Sequence, residues 1–343
     1  MPPIPTTPSK PAIPPAAKSR ARPRTVGFLL IPGFSLMSYA SCLEPLRAAN
    51  QLADRELYRW WHAAPADQPA VASSGTAVLP DFPLRGDLGA LDLLLVCAAG
   101  NPAVFHDRRT FAWLRSVARR GVVIGGVSGG PFIMARAGLL SGRRCTVHWE
   151  HLPALQEQYP QLRLTRTLFE VDGDRITCSG GIAGLDMMIA RIAQDHGYAL
   201  GAAVSEWLLH TAVREGEGPQ RMDLRFRLGI VDEKLLCVLR AMESHLEVPL
   251  SRAQLAALAN VSLRQLERSF RASLGRGVHE YYLALRLRRA RQLLRETSFS
   301  VLETAVATGF ASASHFSRAF RRVCGFAPRE ALRTAFPPVA HRR

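Results

Sequence analysis

The chain has 343 residues, 48% of them hydrophobic and 21% charged, with a formal net charge of +16 at pH 7. That composition is globular and long enough for two domains, and it excludes a fibrous or wholly disordered chain. Its longest apolar runs, such as residues 93–99, fall short of the ~20 residues that span a bilayer, and no apolar leader stands at the N-terminus, so a cytoplasmic protein without a membrane partner is expected.

The charge is unevenly placed. Residues 221–343 carry 22 Lys+Arg against 10 Asp+Glu, and residues 1–24 carry five basic and no acidic residues. Residues 25–220 carry 17 against 18. A neutral region followed by a basic one points to nucleic acid as the partner of the second. The six cysteines are scattered with no C-x-x-C, a spacing that fits buried thiols better than disulfides or zinc ligands. No metal or other cofactor is expected.

Residues 1–24 hold eight prolines and no sustained apolar pattern, and they read as a disordered tail. "TVGFLLIPGF" then gives a buried strand ended by Pro32-Gly33, and "SLMSYASCLEPLRAANQL" a helix. "LDLLLVCAAG" is a second buried strand and "RTFAWLRSVARRG" an amphipathic helix stopping at Gly121. "VVIGG" is a third strand, and "PFIMARAGLL" a helix with Pro131 near its first turn. After a less regular middle, "RITCSGG" and "IAGLDMMIARIAQDHG" add one more strand and helix. Continuous Val/Ile/Leu strands alternating with helices predict an α/β domain over 25–211, with a parallel sheet covered on both faces.

Within it, Gly126-Val127-Ser128-Gly129-Gly130 fits the G-x-S-x-G turn of a strand running into a helix. That places Ser128 at the C-terminal edge of the sheet, where such sheets hold ligands.

The polar, Gly/Pro-containing "REGEGPQRMD" (214–223) marks a linker, taken as 212–230, and beyond it the spacing is helical throughout. Residues 231–335 form an all-α domain, with 336–343 a tail. Two segments there repeat one design: "SRAQLAALANVSLRQLERSFRASLG" (251–275) and "SVLETAVATGFASASHFSRAFRRVCG" (300–325). Each has a short helix, a tight turn, and Ser262 or Ser312 placed to cap a second helix. That second helix buries Leu266/Phe270 or Phe316/Phe320. This is helix-turn-helix spacing, in which the second helix enters the major groove. Between them "YYLALRLRRARQLLRET" is a helix with one apolar face that fixes the spacing of the two units.

"YLALRLRRARQLLRETSFSV" with "GFASASHFSRAFRRVCGFAPREALR" resembles the AraC/XylS family of transcription regulators. The resemblance implies double-stranded promoter DNA and RNA polymerase as partners. Carried over by position, it puts Arg264, Gln265 and Arg268 on the first recognition helix, and Ser312, Ser314, His315 and Arg318 on the second. The family's turn glycine is Asn260 in the first unit, which also tolerates positive φ.

"VGFLLIPGFSLMSYASCLEPLRAAN", "GGVSGGPFIMARAGLLSGRRCTVHWEH" and "TCSGGIAGLDMMIARIAQDHG" resemble the PfpI-type, class I amidotransferase-like domain, a flavodoxin-like fold. Enzymes of that superfamily carry a Cys nucleophile at the elbow, assisted by a His and a Glu. The corresponding residues here are Ser128, His148 and Glu44. A Ser without an evident base argues against catalysis. The alternative is a hydrolase or amidase using Ser128, with Asp172, Asp174 or Asp186 and then His196 or His210 completing a triad; no H-G-G-G oxyanion motif supports it.

The fused pair resembles the GlxA-type regulators, a group that includes regulators responding to glycine betaine, carnitine and amino-acid metabolites. It implies a ligand-responsive regulator, expected to be an activator, acting as a homodimer with a small-molecule effector. A zwitterion would place its carboxylate on the turn at Ser128 and Gly129. Its ammonium would face Trp149, beside His148, with Glu44 as counter-charge.

Overall fold

The computed structural model describes residues 22–84, 89–297 and 299–331. Six strands form one sheet: β1 (Arg24–Leu30), β2 (Tyr58–Ala63), β3 (Leu93–Ala98), β4 (Val123–Ser128), β5 (Phe169–Asp172) and β6 (Arg175–Cys178). Their order is β2-β1-β3-β4-β6-β5, parallel except that β5 pairs antiparallel to β6 at the edge. The expected parallel sheet is therefore present with one antiparallel strand added. Because side chains alternate across a strand, a run such as 26–31 serves both faces. Val26, Phe28 and Leu30 enter one core and Leu29 and Ile31 the other.

One core is covered by helices α1 (Leu36–Ala53), α5 (Ala183–His196) and α6 (Tyr198–Trp207). The other lies under α2 (Arg108–Arg119), α3 (Gly130–Arg136) and α4 (Leu152–Gln158). The strand spacing predicts this α/β sheet covered on both faces, and the PfpI-type resemblance implies its flavodoxin-like form.

The C-terminal region consists of α7 (Leu224–Leu228), α8 (Glu233–Ser244), α9 (Arg252–Leu258), α10 (Leu263–Leu274), α11 (Val278–Glu296), α12 (Val301–Ala307), α13 (Ala313–Cys324) and α14 (Pro328–Ala331). Helix α11 is shared by two small cores. Tyr282 and Leu285 join the first helix-turn-helix unit, whereas Leu283, Leu287, Ala290 and Leu294 join the second. The predicted anchors Leu266, Phe270, Phe316 and Phe320 are all buried. Capping boxes start α9 (Ser251/Gln254), α10 (Ser262/Gln265) and α12 (Ser300/Glu303) and satisfy backbone donors that the helix start leaves open. The turn holds without glycine in the first unit: Asn260 sits at φ 50°, where the second unit has Gly309 at φ 73°.

Two expected boundaries shift. Strand β1 begins at Arg24, and Arg22 reaches Asp92 with two bonds of 2.8 and 2.9 Å, so residues 22–24 of the expected tail are part of the fold. Residues 1–21 and 336–343 lie outside the described residues.

The second shift concerns 212–230, which is not a free linker. Its first part is bound to the α/β unit because Asp186 is fully buried and a buried carboxylate requires compensation. Arg214 supplies it from Nη2 at 2.6 Å, Nε at 3.0 Å and its backbone N–H at 2.8 Å, and His210 Nε2 lies at 2.7 Å. Gln220 Nε2 donates to Thr146 Oγ1, Val147 O and Thr167 O. The later part is helix α7, with Leu224 and Ile230 buried in the first helix-turn-helix core. Among the described residues no helix is long and apolar enough to cross a membrane.

Candidate functional sites

Ser128 ends β4 at φ 59°, a left-handed conformation that costs a non-glycine residue of order 1–3 kcal/mol and gathers at functional turns. The elbow expected from G-x-S-x-G is formed. Its neighbours come from two other elements. Gly180, after β6 at φ 87°, fits so closely that a Cβ there would stand 2.6 Å from Ser128 Cβ and 2.9 Å from Ser38 Oγ. Gly181 N–H donates to Ser38 Oγ at 2.8 Å, and Ser41 Oγ donates to Gly181 O at 2.7 Å. His148 N–H donates to Ser128 O at 3.2 Å. Burial, then neighbouring His151, pushes the His148 imidazole down to about 4, leaving it neutral at pH 7. The elbow thus offers uncharged polar groups: Ser38, Ser128 and His148.

The other expected ligand residues are placed differently. Glu44 is half-buried on α1, its side chain 43% exposed and paired with Arg47 Nε at 2.7 Å; it is Ser38 that α1 turns toward the elbow. The backbone N–H of Gly129 is consumed by Ala98 O at 2.7 Å, so it has no proton left for a carboxylate. Trp149 follows His148, but its ring face is already covered by Arg221, whose guanidinium carbon lies 4.5 Å from the ring centroid. A ligand cation reaches that face of Trp149 only by displacing Arg221, while the ring as a whole is 42% exposed.

The Ser128 hydroxyl has no hydrogen-bond partner among the described residues, whereas an activated serine requires a base within about 3 Å. Asp186 and His210 do pair, but Asp186 is saturated by Arg214. Asp172 and Asp174 are bound to Arg143, 3.3 and 2.8 Å away, and burial lowers the His196 imidazole.

The residues missed by sequence reasoning are Ser38, Gly180, Gly181, Arg221, His151 and Glu296. One signal was available. The neighbouring strands β4 and β6 both run out into Ser-Gly-Gly, at 128–130 and 179–181. Pairing of such distant positions carries no other local mark.

A second set of contacts joins the elbow to α11. His148 O accepts the N–H groups of His151 (2.8 Å) and Leu152 (3.2 Å), fixing the start of α4. His151, 3% exposed in its side chain, sets Nδ1 3.3 Å from Oε2 of Glu296, which is 8% exposed. Gln158 Nε2 donates to Glu296 O at 3.0 Å, and Asn101 Nδ2 donates to Arg295 O. Arg289 of α11 is half-buried nearby; burial pushes its guanidinium down to about 10 against the pull of Glu157 and Glu296, and its Nη1 has no hydrogen-bond partner among the described residues.

On the helix-turn-helix units, Arg264, Gln265, Arg268, Ser312, Ser314, His315 and Arg318 are all exposed. Two of them have structural duties: Gln265 Oε1 accepts Ser262 N–H at 2.9 Å, and Ser312 Oγ accepts His315 N–H at 3.2 Å. Arg318, Arg321 and Arg329 line a groove of about 940 Å³ beside Ser300 and Ser314. The Arg-rich side of α11 is not wholly solvated. Arg286 donates to Thr308 O and Gly309 O at 2.8 and 2.7 Å and covers Phe310.

Comparison with known proteins agrees with both halves. Residues 24–194 match the DJ-1/PfpI family and residues 255–334 a helix-turn-helix domain. The chain is 46% identical over 295 residues to the HTH-type transcriptional regulator CdhR of Pseudomonas aeruginosa, covering 86% of this chain and 87% of that one. It is 45% identical to the HTH-type transcriptional regulator GlxA of Rhizobium meliloti, covering 91% and 97%. The crystal structure of an AraC family transcriptional regulator from Pseudomonas putida superposes with a TM-score of 0.50 at 26% identity, over 54% of this chain and all of that one. The chain belongs to the GlxA-type family of transcriptional regulators, in which a DJ-1/PfpI domain is joined to an AraC-type helix-turn-helix domain and the protein binds DNA in response to a ligand.

Proposed function

We propose that the effector binds at the elbow of Ser38, Ser128, Gly180 and His148, and that its presence reaches DNA through α4 and α11. One observation carries this: an unbroken series of contacts runs from Ser128 O through His148 and His151 to Glu296. Both recognition faces are exposed while these contacts are made, so the docked arrangement is one that can meet DNA. An effector favouring it would raise DNA affinity in proportion to its preference for that arrangement. The resemblance to betaine- and carnitine-responsive regulators makes quaternary amines and amino acids the first candidates, with the ammonium competing with Arg221 for Trp149. Homodimerisation and contact with RNA polymerase on promoter DNA in the cytoplasm complete the proposal.

The test is a thermal-shift screen of the full chain with glycine betaine, carnitine, choline and arginine. A compound at 100 times its Kd adds about 2.7 kcal/mol, and Gly180→Ala should remove the shift. Hydrolysis of p-nitrophenyl acetate should be no faster than with Ser128→Ala; turnover lost in that variant would favour a hydrolase instead.

A further inference from the structure

Helix α2 carries four arginines, Arg108, Arg109, Arg115 and Arg119, and Arg120 caps its end, within a region that is close to neutral as a whole. Its buried side is Thr110, Phe111, Leu114 and Val117. Its exposed side is Arg108, Ala112, Arg115 and Arg119, the i, i+4, i+7, i+11 spacing of a single helix face. Arg108, Arg115 and Arg119 have no ion-pair partner among the described residues, unlike Arg47, Arg143 or Arg191 elsewhere on this unit. Three uncompensated positive charges in line over about 16 Å suit a row of phosphates.

The position of α2 selects the partner. Its N-cap, Asp107, follows closely on the 3-10 turn Pro102–Val104, and Asn101 at the head of that turn is bonded to Arg295 O at the end of α11. Five residues on, Ser300 caps α12 and lines the groove with Arg318 and Arg321 of the second recognition helix. The N-terminal end of the stripe therefore lies close along the chain to a contact with the end of α11, the helix that leads into the second helix-turn-helix unit.

We propose that Arg108, Arg115 and Arg119 of the sensor domain bind the phosphate backbone of duplex DNA flanking the segment read by the second unit. The inference rests on the docked arrangement being the one that meets DNA.

The test uses full-length protein with random-sequence duplexes of about 20 base pairs, two helical turns, and about 40 base pairs. Binding is measured across a salt series. Arg108→Ala/Arg115→Ala/Arg119→Ala should flatten the log Kd against log salt slope on the longer duplex by about 2–3, close to 0.9 for each phosphate no longer neutralised. On the shorter duplex it should match the wild type. An unchanged thermal midpoint would establish that the variant folds. Equal slopes on the longer duplex would overturn the proposal. So would unchanged DNA binding combined with lost transcription in a purified system, because the stripe would then serve an acidic protein. Glu296→Ala separates the two layers: a slope flattened by the arginine variant but not by Glu296→Ala keeps the stripe and refutes the docked arrangement.

Discussion

Glu296→Ala should release α4 from α11 while leaving both domains folded. The carboxylate is buried against a buried histidine at 3.3 Å, and it is one of two acidic groups that support Arg289. Its removal leaves His151 without its carboxylate partner and Arg289 with Glu157 alone. Hydrogen bonds to charged groups contribute about 1.5–3 kcal/mol, so the docked state should lose about 10–150-fold in population against the undocked one. The backbone bonds from Gln158 and Asn101 remain, which keeps the effect at this scale. Hydrogen–deuterium exchange reads it directly: peptides of α4 and the C-terminal half of α11 should exchange faster by that factor, with β3 and β4 unchanged. His151→Ala should do the same, and the double variant should fall short of additivity because both substitutions remove the same bond. Unchanged protection of α4, or fully additive effects, would refute the coupling.

Further consequences are equally specific. Gly180→Ala adds a methyl 2.6 Å from Ser128 Cβ at a positive φ; a cost of roughly 1–3 kcal/mol should appear as a lower urea midpoint. Arg221→Ala uncovers the Trp149 face and should tighten glycine betaine by up to about tenfold, a cation–π contribution of ~1 kcal/mol, in a thermal-shift titration; unchanged or weaker binding would remove Trp149 from the ligand site. His148 is held near 4 when folded, against 6.5 ordinarily. As pH falls below 6.5 the unfolded chain takes up the proton first, so His148 lowers stability by about 1.4 kcal/mol per pH unit until about pH 4. His148→Gln should lose that part of the slope in urea melts at pH 7 and pH 5. Arg268→Ala/Arg318→Ala should weaken duplex binding and reduce its salt dependence by about 2; an unchanged slope would take these residues off the DNA face.

Much of the fold was legible because its signals are local. The buried strands announce themselves as apolar runs since both faces of the sheet are covered, and Ser262, Asn260 and Ser312 reveal the helix-turn-helix units by cap and turn chemistry. The elbow at Ser128 was legible for the same reason. What escaped depends on long-range pairing. Glu44 fits the helix but faces Arg47, whereas Ser38, one and a half turns earlier, meets Gly181. The stretch around 214–220 has a linker's composition, yet Asp186, nearly thirty residues upstream, binds it down. The pairing of His151 with Glu296 spans 145 residues, and no local periodicity records it.

The most direct test measures duplex DNA affinity for wild type and His151→Ala, each with and without the compound that most stabilises the full chain in the thermal screen. The wild type should bind DNA about 5–150-fold more tightly with the compound, the usual range of coupling between sites. His151→Ala should keep its thermal shift but lose most of that gain. An equal gain in both proteins would contradict transmission from the elbow through α4 to α11.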